Sequence, residues 1–190
     1  MGTLFTILIS IIKDKLRLEE SLADTDVLTG LANRRFFMER VDIERYRSSR
    51  YKEVFTIAYI DLDNFKHIND AQGHEVGDEV LMHVSQSLLT NIRNVDLAAR
   101  LGGDEFAIIF PLMDIDEAKV ALQNMRSHLT QSVNEKNWPI SLSIGAVTFT
   151  QPMNTSREMI KLVDDLMYQV KRTGKDNVAF KTWPSSSDES

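Results

Sequence analysis

The chain has 190 residues, which is enough for one ordinary domain and a short extension. Its apolar fraction of 43% and charged fraction of 26% are typical of a water-soluble globular protein. The net charge of −6 argues against a general nucleic-acid binder, so we expect no nucleic-acid partner. The chain has no cysteine, which excludes disulfides and thiolate metal sites and is consistent with the cytoplasm.

The first 23 residues are predicted to form a helical stem. Apolar side chains recur there at alternating spacings of four and three, with one lysine among them: Leu4, Leu8, Ile11, Lys15, Leu18 and Leu22. This pattern is typical of a parallel coiled coil, and the alternative is an amphipathic helix packed on its own domain. The apolar run from Leu4 to Ile12 has nine residues, whereas a membrane-spanning helix needs about 20.

The rest of the chain is predicted to alternate between helices and strands. In order, the pattern predicts a helix over 31–48, a strand over 54–60, a short helix and loop over 64–73, a helix over 77–91, a hairpin over 97–110, a helix over 114–133, a strand over 139–150, a helix over 156–173 and a strand over 178–180. Ile43 and Val120 are assigned to the apolar faces of their helices. This order predicts an α/β sandwich of the ferredoxin-like type, with a mixed, mostly antiparallel sheet covered by helices.

Two acidic turns carry the first indication of chemistry. The apolar run over 54–60 is typical of a strand buried on both faces, and Asp61 follows it directly. Gly102-Gly103 joins two strand-forming runs, and Asp104 and Glu105 follow that turn. Carboxylates at the ends of neighbouring strands suit a hard cation such as Mg²⁺. For the second turn alone, a solvated hairpin tip would be the better interpretation.

Residues 102–106, Gly-Gly-Asp-Glu-Phe, are the signature of the GGDEF family, the bacterial diguanylate cyclases. The chain resembles this family over about residues 22–180, where further segments keep the family's order and spacing. These segments are Asp24 to Arg35, Asp61 to Lys66, Asn69-Asp70, Gly73-His74, Gly77-Asp78, Arg93 to Asp96 and Lys171 to Asn177. The resemblance implies the fold of a nucleotidyl-cyclase catalytic domain, in agreement with the order of elements.

The implied reaction joins two GTP molecules into cyclic di-GMP and releases two pyrophosphates. The resemblance makes Asp61 and Asp104 the metal carboxylates, adds the backbone carbonyl of Leu62, and makes Glu105 a second-sphere or second-metal ligand. Asp104 is also the candidate general base. The expected cofactor is Mg²⁺, with Mn²⁺ as the other option. Asp-Glu stands where many members have Glu-Glu, and both versions occur among active members.

Five residues are expected to contact the substrate phosphates. Asn64 and Phe65 begin a helical turn whose amides can face an anion, and Lys66 is placed to neutralise charge in the transition state. By the family's motif, Lys171 and Lys175 add positive charge at the triphosphate. The alternative for these two lysines is an ordinary basic helix end. Position 175 is often arginine in the family, and lysine lacks its bidentate fork.

Recognition of guanine needs an acceptor for its N1 and N2 hydrogens and a donor for O6 or N7. Asn69 and Asp78 match the family's base-reading pair, and His74 is expected in the same pocket. Without the other motifs these residues would be interpreted as ordinary turns.

Arg93 and Asp96 match the family's RxxD inhibitory site. Arginine can fork onto phosphate or guanine, and aspartate can contact a guanine edge. The resemblance implies that cyclic di-GMP binds there and holds the domains in an unproductive arrangement. By itself, an R-x-x-D sequence is a weak signal.

The resemblance also implies a domain organisation. The stem at 1–23 would join a catalytic domain at 24–181 to an N-terminal sensor outside this chain, and 182–190 would be a disordered tail. Because each site holds one GTP, two domains must meet as a homodimer, with the stem as the dimerising element. We expect the domain in the cytoplasm, within a full-length protein that could be attached to a membrane.

The leading hypothesis is an active diguanylate cyclase. The alternative is a catalytically silent domain that binds cyclic di-GMP or GTP as a receptor. A purely structural coiled-coil partner is a third option, which rests on the stem alone.

Overall fold

The computed structural model describes residues 24–184, so the predicted stem at 1–23 lies outside the described residues. The elements in chain order are β1 (Ala32–Asn33), α1 (Arg34–Tyr51), β2 (Phe55–Asp63), α2 (Phe65–Gln72), α3 (His74–Thr90), β3 (Leu97–Gly102), β4 (Glu105–Pro111), α4 (Ile115–Glu135), β5 (Ser141–Phe149), α5 (Ser156–Arg172) and β6 (Asn177–Trp183). Between residues 24 and 184, no helix is both long and apolar enough to cross a membrane.

The strands form one six-stranded sheet in the order β1-β3-β4-β2-β5-β6. The central pairs β3/β4, β4/β2 and β2/β5 are antiparallel, and the outer pairs β1/β3 and β5/β6 are parallel. This arrangement confirms the prediction of a mixed, mostly antiparallel sheet. The strand β2 lies in the middle of the sheet, which explains why its sequence is apolar at consecutive positions.

Helices cover both faces of the sheet and bury two hydrophobic clusters. Strand residues alternate between the faces, so Ile60 packs in the cluster beneath α3 and α4, while Tyr59 packs in the cluster beneath α1 and α5. Ile140, Leu142 and Ile144 share the first of these clusters, as their alternation predicts. The two-sided burial makes β2 and its neighbours a rigid support for the residues at their ends.

The first helix starts at Arg34, three residues later than the sequence pattern predicts. Ala32 and Asn33 instead pair with β3 as a short edge strand. The Asn33 side chain then accepts a hydrogen bond from the Phe36 amide at 3.0 Å and caps the helix. The helix α3 starts three residues earlier than predicted, at His74. The residue before it, Gly73, has a φ of 90°, and this non-helical backbone ends α2 and allows α3 to begin.

Two residues assigned to the core are on the surface, so these predictions are wrong. Ile43 is 47% exposed because the buried stripe of α1 passes through Phe37, Val41, Glu44 and Ser48 instead. Val120 is 61% exposed because it lies two positions from both Ala118 and Leu122, which face the sheet. A spacing of two places residues on different sides of a helix.

The last strand is longer than predicted. It runs from Asn177 to Trp183, parallel to β5, and therefore includes two residues that the sequence pattern assigned to the tail. The main-chain contact between the two strands continues one residue past the end of β5, where Thr150 N donates to Trp183 O at 2.9 Å.

Gly145 allows α5 to pack unusually close to β5. A Cβ at this position would lie 2.3 Å from the Met167 nitrogen and 2.9 Å from the Leu166 carbonyl carbon. Both are backbone atoms of α5, so a side chain could be accommodated only by moving the helix. The absence of a side chain at Gly145 thus sets the height of α5 above the sheet.

We expect Gly145→Ala to destabilise the domain by about 3 kcal/mol, since it forces a backbone overlap that a rotamer change cannot relieve. Urea unfolding followed by circular dichroism measures this change. Gly30→Ala is the matched control: Gly30 has a φ of +70° and no atom within 4 Å of the added Cβ. Its cost should be limited to left-handed strain of about 1 kcal/mol. Equal costs for the two variants would contradict close packing at Gly145.

Candidate active site

The site is built around Asp61, near the end of the central strand β2. Asp61 lies opposite Glu105 of β4 and opposite Ser143 of β5, and it is only 4% exposed. In an antiparallel pair, residues directly opposite each other point to the same face of the sheet. The fold therefore brings two carboxylates together on the face covered by α1 and α5.

Asp104 is joined to β2 through the main chain. The Leu62 amide donates to the Asp104 carbonyl at 3.2 Å, which continues the contact between the strands into the Gly102-Gly103 turn. Gly102 and Gly103 have φ values of 138° and 54°, a backbone that glycine adopts readily. Arg100 closes the turn by donating from Nη2 to the Gly103 carbonyl at 2.9 Å.

A surface cavity of about 510 Å³ opens at this end of the sheet. It is lined by Asp61, Leu62, Asp63, Asn64, Phe65, Lys66, His67, Asp70, Asp104, Lys171 and Lys175. Eight of the nine residues predicted from the sequence for metal or phosphate contacts thus share one cavity. The exception is Glu105, which does not line it.

Lys171 forms an ion pair with Asp61. Its Nζ donates to Asp61 Oδ2 at 2.8 Å, from the last turn of α5. Burial would lower the pKa of Lys171, but the hydrogen bond to Asp61 and the charges of Asp61, Asp104 and Asp63 outweigh burial and raise it. The predicted basic helix end is therefore also a cation directed into the acidic site.

The pKa of Asp61 is raised above its ordinary value. Burial is the largest cause, and the negative charges of Asp104 and Asp63 act in the same direction, while Lys171 opposes them. A carboxylate that is buried beside other carboxylates is a favourable place for a divalent cation, because the cation relieves the repulsion.

Glu105 contacts the opposite flank of the site. It pairs with Arg34 of α1 at 3.4 Å, and Arg34 also donates from Nε to the Leu101 carbonyl at 2.9 Å. Burial raises the pKa of Glu105, Arg34 opposes this, and the charge of Asp61 adds to the increase. Asp104, in the turn before β4, thus lines the cavity, whereas Glu105, the first residue of β4, pairs with α1.

The start of α2 forms the other wall of the cavity. Asn64 has a φ of 64° and directly precedes the helix, Phe65 is buried, and Lys66 is exposed at the first turn. Asn64 Oδ1 accepts a hydrogen bond from Lys175 Nζ at 3.3 Å. Two of the predicted phosphate contacts, far apart in sequence, therefore meet across the cavity.

The residues predicted to read guanine lie beside the junction of α2 and α3 and do not line the cavity around Asp61. Asn69 is partly buried, whereas His74 and Asp78 are exposed. A Cβ at Gly77 would lie 2.0 Å from Asn69 Oδ1, so the absence of a side chain at Gly77 leaves room for the Asn69 amide. Asn69 of α2 thus lies against Gly77 of α3, and Asp78 follows Gly77 directly in the chain.

Arg93 and Asp96 form a closed pair on a separate surface. Arg93 donates from Nη2 to Asp96 Oδ1 at 2.7 Å and to the Pro111 carbonyl at 2.8 Å, and the Asp96 side chain is 1% exposed. A cavity of about 360 Å³ lies alongside, lined by Arg40, Arg47, Arg93, Asn94, Val95, Pro111 and Leu112. Asp96 thus orients Arg93.

Arg40 and Arg47 also line this cavity, and the sequence pattern did not predict them. Both pair with the buried Glu44 on α1, at 3.3 Å and 3.5 Å. In the sequence, these two arginines are not distinguished from the other charged residues of α1. The signal that could have indicated them is Glu44, which falls within the buried stripe of the helix and therefore needs positively charged partners.

Asp63 also lines the cavity around Asp61, although no role was predicted for it from the sequence. This buried carboxylate accepts hydrogen bonds from Ser141 Oγ and Ser143 Oγ, both at 2.8 Å, and from the Asp176 amide at 3.1 Å. Its alternation with Asp61 places both side chains on one face, and its partners come from β5 and from the turn before β6. Asp63 accepts from three donor residues of the chain, whereas Asp61 accepts from Lys171.

The donors available for a metal are two carboxylates and main-chain oxygens. Within residues 24–184, no three side chains of His, Cys, Asp or Glu converge as a metal-binding group. The set of Asp61, Asp104 and Leu62 still fits Mg²⁺, which is commonly bound by one or two carboxylates together with substrate phosphates and water. The residues present therefore fit a metal that is shared with a phosphate ligand.

Comparisons with known proteins identify the family to which this chain belongs. The family model for the diguanylate cyclase GGDEF domain matches residues 23–177. Diguanylate cyclase DosC of Escherichia coli K12 is 36% identical over 165 residues, covering 85% of this chain and 35% of DosC. The GGDEF domain of DgcB from Caulobacter crescentus, solved with cyclic di-GMP, is 30% identical with a TM-score of 0.77, and the match covers 83% of this chain and 95% of that chain.

A second structure of DgcB contains a coiled coil and the GGDEF domain. It is 26% identical with a TM-score of 0.75, and the match covers 92% of this chain and 94% of that chain. This chain belongs to the GGDEF family. It spans less than half the length of curated relatives such as DosC, at 35%, and the probable diguanylate cyclase DgcT, at 40%.

The raised pKa of Asp61 predicts a pH-dependent effect of Asp61→Asn. A carboxyl whose pKa is higher in the folded state contributes stability at low pH, and this contribution is lost as the pH rises through the folded pKa. Asparagine cannot lose a proton, so the stability of the variant relative to the wild type should increase between pH 4 and pH 7. Urea unfolding with EDTA at several pH values measures this difference.

Asp165→Asn, which changes an exposed carboxylate on α5, is the control and should show no such increase. A stability difference for Asp61→Asn that stays constant or decreases with pH would contradict the raised pKa.

Proposed function

We propose that this domain is a diguanylate cyclase that condenses two GTP molecules into cyclic di-GMP. The observation that carries the proposal is the shared cavity, in which Asp61 and Asp104 face Lys66, Lys171 and Lys175. Carboxylates that fit a metal, next to cations that fit a triphosphate, are the combination required for nucleotidyl transfer. The membership in the GGDEF family supports the same assignment.

In each step, the ribose 3′-oxygen of one GTP forms a bond to the α-phosphorus of the other. The bond from that phosphorus to the pyrophosphate oxygen breaks, and the hydroxyl proton leaves to a base. Asp104 is the residue we assign to accept this proton, because it lies in the cavity next to Asp61. Proteins of this family generally use a divalent metal ion. Mg²⁺ or Mn²⁺ held by Asp61, Asp104 and the Leu62 carbonyl would neutralise charge on the phosphates.

The positive side chains hold the triphosphate and stabilise the leaving group. Lys175 and the first residues of α2 line the same cavity, and a helix start favours an anion. Lys171 is already at the carboxylates and needs only a rotation of its long side chain to contact a phosphate. Lys66 is exposed at the same wall and is free to approach the charge that develops on the pyrophosphate.

We assign recognition of guanine to Asn69 and Asp78, with His74 beside them. The carboxylate of Asp78 can accept from both N1–H and N2–H of guanine, whereas adenine has no hydrogen at N1. The Asn69 amide, held against Gly77, offers a donor to O6 or N7.

Two domains must face each other, because one site holds one GTP and the product contains two. We infer a homodimer formed through the stem at 1–23, with an N-terminal sensor that precedes it. The similarity to the DgcB structure that contains a coiled coil supports the helical stem in this proposal.

We also assign product inhibition to Arg93, with Asp96 as the residue that orients it. Arg40 and Arg47 line the same cavity and add positive charge for the phosphates of cyclic di-GMP. The alternative of a silent receptor would use this cavity alone, without turnover at Asp61 and Asp104.

Incubation of the purified protein with GTP and Mg²⁺, followed by chromatography for cyclic di-GMP, tests the proposed function. We expect product at a specific rate that rises with protein concentration, because the active form is a dimer. Tight binding of cyclic di-GMP with no product at any concentration would instead support the receptor.

Asp104→Ala should slow cyclic di-GMP formation by roughly 10²–10⁴-fold, since a metal ligand contributes several kcal/mol to transition-state stabilisation. Steady-state rates and the circular dichroism spectrum should be compared with those of Asp165→Ala, which changes an exposed carboxylate on α5. Undiminished turnover of Asp104→Ala would exclude the role assigned to Asp104.

Arg93→Ala should weaken inhibition by cyclic di-GMP by about 10–100-fold, because a charge-assisted contact is worth about 1.5–3 kcal/mol. The initial rate without product should stay close to that of the wild type. Arg50→Ala, which alters an exposed arginine on α1, is the control. The same inhibition constant in the Arg93→Ala variant would remove this site from the proposed function.

A further inference from the structure

The turn that carries Lys175 has a strained backbone. Gly174, Lys175 and Asp176 have φ values of 129°, 61° and 46°, so three successive residues lie at positive φ. Glycine adopts such values readily, but each of the other two costs on the order of 1 kcal/mol or more. The Lys175 amide donates to the Val170 carbonyl at 3.0 Å, which ties one side of the turn to the end of α5. A strained turn persists only where surrounding contacts hold it.

Arg126 of α4 supplies two of these contacts. Its Nη2 donates to the Asp176 carbonyl at 2.7 Å and lies 2.8 Å from Asp176 Oδ1. The side chains of Arg126 and Asp176 are 29% and 47% exposed, so water screens this pair in part. On the other side, the Asp176 amide donates to Asp63 Oδ2. The amide, carbonyl and carboxylate of Asp176 are therefore all engaged, from two directions.

The consequence of this clamp is the position of Lys175. Lys175 is the residue next to Asp176, and its Nζ reaches Asn64 and the wall of the cavity. Arg126 does not line that cavity. The turn links Arg126 to this cavity through direct contacts.

We propose that Arg126 is a positioning residue that holds the Gly174–Asp176 turn so that Lys175 points into the nucleotide cavity. The inference rests on the proposed function for its effect on GTP, but the clamp itself does not. A merely structural bridge between α4 and β6 would stabilise the domain without affecting Lys175 in particular. The two roles differ in one respect: if Arg126 positions Lys175, then replacing Arg126 should weaken nucleotide binding only while Lys175 is present.

A double-mutant cycle provides that test. Binding of a non-hydrolysable GTP analogue, the α,β-methylene triphosphate, is measured with Mg²⁺ by calorimetry for the wild type, Arg126→Met, Lys175→Met and the double variant. We expect Arg126→Met to weaken binding about 3–10-fold and to have no further effect once Lys175 is methionine. Additive losses, or full affinity of Arg126→Met, would overturn the proposal.

Lys119→Met is the matched control, because it removes an exposed ion pair with Asp116 on the same helix. It should leave the affinity for the analogue unchanged. Arg126→Lys keeps the positive charge but loses the two-pronged guanidinium, so its affinity for the analogue should lie between those of the wild type and Arg126→Met. It also serves as the milder variant if methionine impairs folding.

Amide hydrogen exchange tests the clamp without any nucleotide. In Arg126→Met, exchange at the Lys175 and Asp176 amides should be about tenfold faster than in the wild type, with the α4 interior unaltered. Unchanged exchange in the turn would overturn the proposal. A wild type that fails to bind the analogue would count against the proposed function, while exchange would still decide the role of Arg126.

Discussion

The antiparallel pairing of β2 with β4 is the constraint on which the candidate site depends. It aligns Asp61 with Glu105 and brings the turn that carries Asp104 against Leu62. The pairing therefore forces negative charges together at one end of the central strands of a largely apolar sheet. Burial on both faces of β2 supplies the free energy that holds this arrangement, because a strand fixed between two neighbours and two layers of helices cannot move to relieve the repulsion.

The two helices on one face of the sheet provide the opposing charges. Arg34 at the start of α1 contacts Glu105, and Lys171 at the end of α5 contacts Asp61. Both contacts depend on how close the helices lie to the strands, which is why Gly145 matters to a site that it does not line. Packing and electrostatics are thus not separate contributions here, since the height of α5 above the sheet sets the position of an ammonium group beside a carboxylate.

The sequence predicted the elements and most of the cavity well, because those signals are local. Buried strands, paired glycines and a spaced set of motifs were sufficient to place Asp61, Asp104, Asn64 and Lys175 together. It did not reveal the contact of Arg126 with Asp176, because a side-chain contact over such a separation depends on the packed positions of α4 and β6. The exposure of Val120 was not predicted because, in the sequence, an apolar valine between Ala118 and Leu122 cannot be distinguished from the residues of the buried stripe.

The ion pair between Lys171 and Asp61 has a thermodynamic consequence. An ion that binds at Asp61 competes with an ammonium group that the chain itself supplies, so its net affinity is the difference between two favourable contacts. A phosphate ligand that attracts Lys171 removes this competitor, and the ion in turn releases the lysine for the phosphate. Each ligand therefore increases the affinity for the other by the same factor, as linkage requires. In the proposed function, a lysine in this position would make the binding of the metal ion and the nucleotide mutually cooperative, so that the site would fill as a unit.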